Sequence, residues 1–407
     1  MPENQVISQI EKSTSGISPD SAVKPGEVSK KTFSTKDWLS YLDRKILPPN
    51  PPAWPRSPFV PGNFREVFNL VKIGTGLGFS LLTKKPFVWG EPVIAHIEPT
   101  GLCNLKCPLC PSGNGSLTRM RERMHYENFK TIIDKLPRTV KMLLLWNQGE
   151  PFIVKDLVKM IRYAKRRNIY IVTSTNGHYF RKEKAVQAVV KSGIDEVIIS
   201  LDGADQEIYQ KYRVGGRLDW VFDGIERLAR TKCMHHSQTP MIHLQFILMR
   251  QNIHQQQDMI RIGKKLGADR ISFKTVQVTG FKGGENYLPD NPVFTRYQER
   301  SSDGWYITRK RRFFPDDCLR LWYSTVINCD GRISPCCFDK DGEYALGNLI
   351  TDSFEEIWRG DSYKRFRQHL LKHRYDLEMC RDCSEGVKEL FTRTVDYHRK
   401  DYKSKVV

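Results

Sequence analysis

A chain of 407 residues, 39% of them apolar, can enclose a sizeable core and exceeds one ordinary domain, so two folded units plus an extension are expected. No run approaches the roughly 18 uninterrupted apolar residues of a membrane-crossing helix, and the opening Met1-Pro-Glu-Asn-Gln5 lacks the basic-then-apolar order of a secretory signal. The net charge of +19 comes from dispersed Lys and Arg with short runs at 165–167 and 309–312; solvated helix ends account for most of these, and no nucleic-acid-binding module accompanies them, so no nucleic-acid partner is expected.

Residues 1 to about 33 are rich in Ser, Lys, Glu and Gly and poor in large apolar side chains, a composition that stays disordered. From Phe33 to Leu47 the apolar residues Trp38, Leu39, Leu42 and Ile46 take helical spacing. Seven prolines from Pro48 to Pro61 then make a stiff, extended connector. Phe64 to Leu82 is apolar with basic flanks, which suits either a helix on a membrane surface or one packed across the outside of the next domain. Gly74, Gly76 and Gly78 imitate half of a dinucleotide fingerprint, but no strand or acidic ribose partner is placed to complete it. Residues 1–88 are therefore an N-terminal extension, with 64–85 the candidate for peripheral membrane contact.

From Val93 onward strand-like and helix-like stretches alternate. Strands are expected at Val93–Glu98, Lys141–Trp146, Ile169–Ser174, Glu196–Leu201, Met241–Met249 and Arg270–Val278, each short and rich in β-branched or aromatic residues. Helical spacing marks Tyr126–Leu136, Lys155–Arg167, Phe180–Lys191, Trp220–Thr231 and Ile253–Leu266. Such alternation gives an α/β fold with a parallel sheet and helices outside, here over 89–300. Six strands are too few for a closed eight-stranded barrel.

Just after the first strand stands Cys103-Asn-Leu-Lys-Cys107-Pro-Leu-Cys110, bent by Pro108, Pro111 and Gly113. Three thiolates at these spacings hold three corners of one four-iron cube and leave its fourth iron open. A zinc loop or structural thiols is the alternative, although three cysteines do not complete a structural zinc site. Ten cysteines in a long chain without a signal otherwise read as metal ligands in a reducing compartment, and the cytoplasm is the expected location.

C-x3-C-x2-C at the end of a first strand resembles the signature of the radical S-adenosylmethionine (SAM) superfamily. That resemblance implies a partial (β/α)6 barrel and a SAM-binding [4Fe–4S] cluster on Cys103, Cys107 and Cys110. It implies SAM on the open iron, cleaved by one electron to a 5′-deoxyadenosyl radical that takes hydrogen from substrate. A reducing donor such as flavodoxin or ferredoxin would supply that electron.

In α/β barrels chemistry gathers at the C-terminal ends of strands. Gly149-Glu150, after the second strand, resembles the superfamily's Gly-Glu motif, which contacts the SAM amino group. Ser174 and Asn176 after the third strand, and Ser200 after the fourth, either bond SAM hydroxyl and carboxylate groups or cap helices and turns. Asp202 reads as a substrate-side acid or base, or as a turn residue. Arg213 offers a fork that matches the SAM carboxylate, or a surface ion pair. Leu109 occupies a place that is often aromatic in the family and lies against adenine; it supplies apolar contact without stacking. Gln245 and Asn252 flank the fifth strand as candidates to line the cavity.

The C-terminal third, 301–395, carries Cys318, Cys329, Cys336, Cys337, Cys380 and Cys383, followed by a basic tail at 396–407. Asp330-Gly331 between strand-like runs signals a hairpin, and Asp352 or Ser353 caps a helix running to about His373. The arrangement resembles the SPASM/twitch domain, which implies a second, auxiliary [4Fe–4S] cluster. Two further clusters would take about eight thiolates; six are present, so one auxiliary cluster on Cys318, Cys336, Cys380 and Cys383 is expected. A structural zinc site is the rival for the same thiols. Cys337 points away from Cys336 along a strand, Cys329 is a packed thiol, and Cys233 is a core residue.

The resemblance implies hydrogen abstraction coupled to two-electron oxidation, with the auxiliary cluster as electron acceptor. A radical SAM peptide maturase forming crosslinks is one alternative, and a non-catalytic iron–sulfur or zinc scaffold another. The substrate is a small molecule, a carrier-linked molecule or a peptide; the Pro-rich first 88 residues lack a peptide-recognition pattern, which favours the former two.

Overall fold

The computed structural model describes residues 34–35, 61–119, 121–278, 283–300, 306–308, 318–381, 383–384, 391–398 and 405–406. The helix expected from Phe33 to Leu47 and the proline connector lie outside the described residues, apart from 34–35 and Pro61.

Six strands pair in parallel and in chain order: β1 (Ile94–Ile97), β2 (Met142–Leu144), β3 (Tyr170–Thr175), β4 (Glu196–Ser200), β5 (Met241–Leu248) and β6 (Arg270–Thr275). Between them run α2 to α7, numbered after the helix α1 (Phe64–Thr83) that precedes β1: α2 (Tyr126–Lys135), α3 (Leu157–Lys165), α4 (Glu183–Val190), α5 (Gln206–Tyr212), α6 (Leu218–Met234) and α7 (Gln256–Lys265). Parallel strands need long crossovers, and helices whose apolar stripe recurs every three to four residues supply them. In α6 the stripe is Leu218, Val221, Phe222, Ile225 and Leu228, all buried. Alternate strand residues such as Ala95, Leu143, Ile171, Val197, Leu244 and Ile271 belong to the same core. The intervening positions, including Ser200, Gln245 and Ser272 at matched register, face the other way, into the barrel. The partial barrel expected from sequence is present.

Two strands of the C-terminal third extend this sheet. β9 (Ser324–Ile327) lies parallel to β1, and β11 (Thr392–Asp396) lies antiparallel to β6. With β10 (Ile333–Ser334) and β12 (Lys405–Val406) the order is β10-β9-β1-β2-β3-β4-β5-β6-β11-β12, while β7 (Tyr297–Arg300) and β8 (Tyr306–Thr308) pair antiparallel in a separate two-stranded sheet. The division expected at 300/301 is therefore not a break in the sheet. Gly331, at φ +83°, makes the β9–β10 turn, as its Asp-Gly sequence indicated. Ser353 caps the next helix with a capping box to Glu356, yet the helix ends early. α8 (Phe354–Arg359) stops at Gly360, whose extended backbone (ψ 167°) separates it from α9 (Asp361–His373); the single helix expected to His373 is thus two.

Helix α1 contains Gly74, Gly76 and Gly78 within its regular turns, so no phosphate-binding loop exists there. Its Asn69 side chain exchanges two 2.9 Å bonds with the backbone of Glu91, and Glu66 pairs with Lys141 at the foot of β2. These contacts seat α1 at the N-terminal end of the barrel. Trp322 and Trp358, both fully buried, donate to the carbonyls of Phe87 and Gly90 and bind the C-terminal third to the same foot.

Candidate active site and iron–sulfur ligands

After β1 the chain closes into a compact loop. The amide of Cys110 donates to the Cys107 carbonyl (3.1 Å), and the amides of Gly113 and Asn114 donate to the Cys110 carbonyl (2.8 Å each). A side chain at 113 would press a Cβ within 2.6 Å of the Cys107 nitrogen, so only glycine permits the turn. Cys107 is buried, and Cys103 and Cys110 are half-buried. Burial pushes the Cys103 thiol up to about 11 and raises Cys107 also, where the Arg213 guanidinium pulls the other way. Three thiols within electrostatic reach of one another, on a loop too tight for another side chain, form a soft donor set that fits an iron–sulfur cluster.

The loop after β2 docks on this one. Gly149 has φ +72°, and a Cβ there would sit 2.6 Å from the Leu102 carbonyl oxygen and nearer still to that of Thr100. Its amide donates to Ser112 Oγ (3.0 Å), and the Glu150 amide donates to the Leu102 carbonyl (2.8 Å). The buried Glu150 carboxylate accepts from the Asn176 amide (2.7 Å), Thr175 Oγ1 (2.7 Å) and the Phe152 amide (3.1 Å). Burial raises its pKa against those three donors and the nearby Arg213 charge. Asn176 Nδ2 reaches Asn104 Oδ1 on the cysteine loop (2.8 Å). The ends of β1, β2 and β3 are thereby locked into one rim.

Asp202, after β4, is fully buried. Oδ2 accepts from Arg213 Nε and Nη2, each at 2.6 Å, and Oδ1 accepts from the Ile247 amide at 2.7 Å. Neither the acid–base reading nor the turn reading anticipated this ion pair, in which the Asp202 carboxylate anchors Arg213. The guanidinium then presents Nη1 to Cys107 Sγ at 3.8 Å. Ser174 is half-buried and Ser200 buried at the strand ends, the latter in register with Gln245. Leu109 packs in a small apolar cluster with Leu105, Tyr212, Met249 and Val276. Asn252 does not line a cavity. It is fully enclosed and spends its side chain on the backbone of Met249, Asp202 and Ile247, holding the β5 exit turn.

In the C-terminal third Cys336 and Cys318 lie within electrostatic reach of each other, and the buried guanidinium of Arg374 stands near Cys318, Cys383 and Cys380. The amide of Cys383 donates to the Cys380 carbonyl (3.3 Å), closing the C-x2-C turn. Four thiols and one cation thus share a neighbourhood, which fits a fully thiolate-held cluster. Cys337 does not point away as expected: the strand ends at Ser334, so alternation does not reach this pair, and the Cys337 thiol hydrogen-bonds that of Cys336 while also accepting from Arg320 Nη1 (3.1 Å). Cys329 is buried beside Arg119, and Cys233 lies half-buried on α6.

The two thiol sets are joined by residues that the sequence did not single out. Glu98, at the end of β1, holds Arg119 in a buried fork (2.7 and 2.6 Å), and Arg119 Nε donates to the Lys340 carbonyl (2.5 Å). Thr118 donates twice to Asp341 Oδ1 (2.6 and 2.8 Å). The chain just past Cys110 is therefore fastened to the chain just past Cys337.

The profile of the radical SAM superfamily matches residues 97–245, and the SPASM profile, an iron-sulfur cluster-binding domain, matches 318–384. This chain belongs to the radical SAM superfamily. The superfamily match contains all three N-terminal ligand candidates, and the SPASM match begins at Cys318 and closes one residue past Cys383. Among relatives, the mycofactocin maturase MftC of Mycolicibacterium smegmatis is 24% identical over 288 residues, 66% of this chain and 70% of the relative. The PqqA peptide cyclase of Rhodopseudomonas palustris is 28% identical over 300 residues, 69% of this chain and 77% of the relative. In structure, Streptococcus suis SuiB bound to S-adenosylmethionine aligns with TM-score 0.54 at 15% identity, covering 74% of this chain and 71% of SuiB, a likeness of fold. A radical SAM protein binds a [4Fe–4S] cluster and SAM, and its SPASM domain binds auxiliary iron–sulfur; the donor sets described above fit both.

Within the radical SAM barrel a polar chain also escaped sequence reading. Tyr170 donates to Glu196 (3.3 Å), Glu196 meets His243 Nδ1 (2.5 Å), and His243 Nε2 meets Ser272 Oγ (2.8 Å). The signal available was a polar residue at every second position of an otherwise apolar strand, as in Met241-Ile-His-Leu-Gln-Phe246.

Proposed function

We propose that this radical SAM enzyme abstracts hydrogen from its substrate and completes a two-electron oxidation with both thiol sets loaded. One observation carries the reading: a three-thiol loop at the barrel rim is fastened, through Arg119 and Thr118, to a second set with its own four thiols. When bound, the rim cluster with SAM supplies a 5′-deoxyadenosyl radical, and the auxiliary cluster supplies an acceptor for the electron left on substrate. Cys103, Cys107 and Cys110 would hold the first cluster, and Cys318, Cys336, Cys380 and Cys383 the second. Gly149, Glu150, Ser174, Asn176, Ser200 and Arg213 would surround SAM, with Leu109 as apolar contact.

Asp202 fixes Arg213, so the arginine's charge stays beside Cys107 and Glu150 whatever the substrate does. The three donors on Glu150 set its orientation before SAM arrives, which is preorganisation rather than induced fit. A peptide is the second substrate reading, supported by the likeness to a mycofactocin maturase and to a PqqA peptide cyclase.

Anaerobic reconstitution should give about eight irons per chain, and the reduced protein should release 5′-deoxyadenosine from SAM. Cys380→Ala should spare that release and stop substrate oxidation. Unimpaired product formation by the variant would remove the electron-acceptor role, and four irons in the wild type would remove the second cluster.

A further inference from the structure

Helix α1 is built the wrong way round for an ordinary surface helix. The side against the protein is Asn69, Ile73, Gly76 and Ser80, mostly polar or small. The opposite side carries Phe64, Val67, Phe68, Val71, Phe79 and Leu82, and it is in the open: Phe64 is 79% and Leu82 85% exposed. Positions 64, 67, 68, 71, 79 and 82 fall on one stripe of a 3.6-residue helix, interrupted midway by Thr75 and Gly78, so the exposed apolar residues share one face rather than lying scattered. Trp89 continues it, its ring tilted against that of Phe79 at 5.3 Å and itself exposed.

Charge decides what covers this face. Arg65 and Lys72 flank the stripe, Lys72 lying over the Phe68 ring (4.7 Å), and Lys84 and Lys85 follow the last turn, all exposed. Glu66 is the helix's one acid, and Lys141 neutralises it at 2.5 Å. An apolar stripe edged by the exposed cations Arg65, Lys72 and Lys85, on a chain of net charge +19, complements a surface that is greasy and negative. No helix among the described residues is long and apolar enough to cross a membrane, so the helix would lie along the surface.

We propose that α1 docks the protein on an anionic lipid bilayer, its Phe64–Leu82 stripe in the headgroup–acyl boundary and its lysines and arginine at the phosphates. The contact is rigid, because Asn69 bonds Glu91 twice and Gln368 bonds the Lys84 carbonyl (2.7 Å). It sits at the foot of the barrel, whereas the cysteine loop leaves the opposite end of β1. Docking therefore leaves the rim open to the aqueous side. The inference does not depend on the proposed oxidation.

The test is flotation of the reconstituted full chain with vesicles of phosphatidylcholine alone or mixed with phosphatidylglycerol. The protein should float with the mixed vesicles, less so with phosphatidylcholine alone, and less as salt is raised. Substituting Phe64→Ser, Phe68→Ser and Leu82→Ser together should weaken partitioning by at least about a hundredfold, with iron content and 5′-deoxyadenosine release unchanged. Lys72→Glu with Lys85→Glu should abolish only the preference for the anionic lipid. Failure of the wild type to float overturns the proposal. So does a dimer in sedimentation that the triple substitution dissociates, which would give the face to a second copy.

Discussion

Replacing Arg119 with Met should destabilise the loaded protein by about 3–5 kcal/mol, the cost of stranding a buried charge. The two side chains are 2% and 0% exposed, so water cannot compensate. Met fills most of the arginine's volume but donates nothing, and Glu98 keeps the Gln148 amide at 3.0 Å and the weak donor of the Cys329 thiol, neither of which carries a charge. The companion Glu98→Gln, Arg119→Met double variant removes both charges and should recover most of the loss, to within about 1–2 kcal/mol of wild type. Urea unfolding under anaerobic conditions, followed by far-UV circular dichroism, gives the three values and hence the coupling. The loop carrying Lys340 and Asp341 should loosen in the single variant, so its iron content should fall first from the C-terminal set. A single variant within about 0.5 kcal/mol of wild type, or a double variant costing the sum of its parts, would refute the assignment of this pair as the clamp between thiol sets.

Gly149→Ala must force a left-handed backbone on a residue with a Cβ, about 1–2 kcal/mol before any collision, and the collision is with the Thr100 and Leu102 carbonyls that lead into Cys103. Reconstituted iron should drop from about eight to about four per chain, with the C-terminal cluster retained; full loading would contradict the fit described for this loop. His96, inside the barrel, has its pKa lowered to about 3 by burial, with the Arg320 charge adding to it. The folded state then resists a proton that the unfolded chain accepts near 6.5. Stability is full above that value and falls as pH drops below it, by up to about 1.4 kcal/mol per unit. His96→Asn should flatten this slope between about pH 6.5 and pH 5 in denaturant midpoints; an unchanged slope would show that the imidazole is not held neutral.

The six barrel strands and their helices were legible because each is a local pattern: a short β-branched run, then an apolar stripe at helical spacing. The cysteine loop and Gly149-Glu150 were legible for the same reason, being contiguous. Glu98 and Arg119 were not, since they lie 21 positions apart and look like any surface acid and base until the fold removes water from both. β9 and β11 were missed as barrel strands because four or five residues say nothing about which distant edge they join. Asn252 looked like a cavity residue because a polar side chain after a strand usually is one; here the turn consumed all its bonds. The break at Gly360 was available in the sequence, where a glycine follows a capped turn, but the helical spacing on either side masked it.

The edges of the barrel sheet are closed by segments made late in synthesis. A nascent chain that has emerged through about residue 300 has β1 through β6 in hand, yet its β1 flank waits for β9 and its β6 flank for β11. Until then two rows of backbone amides and carbonyls are bare, the condition under which unfinished sheets recruit each other. Completion of the last hundred residues is thus a solubility event for the whole molecule, and a premature stop before β11 would be felt as aggregation well before it was felt as a missing cluster.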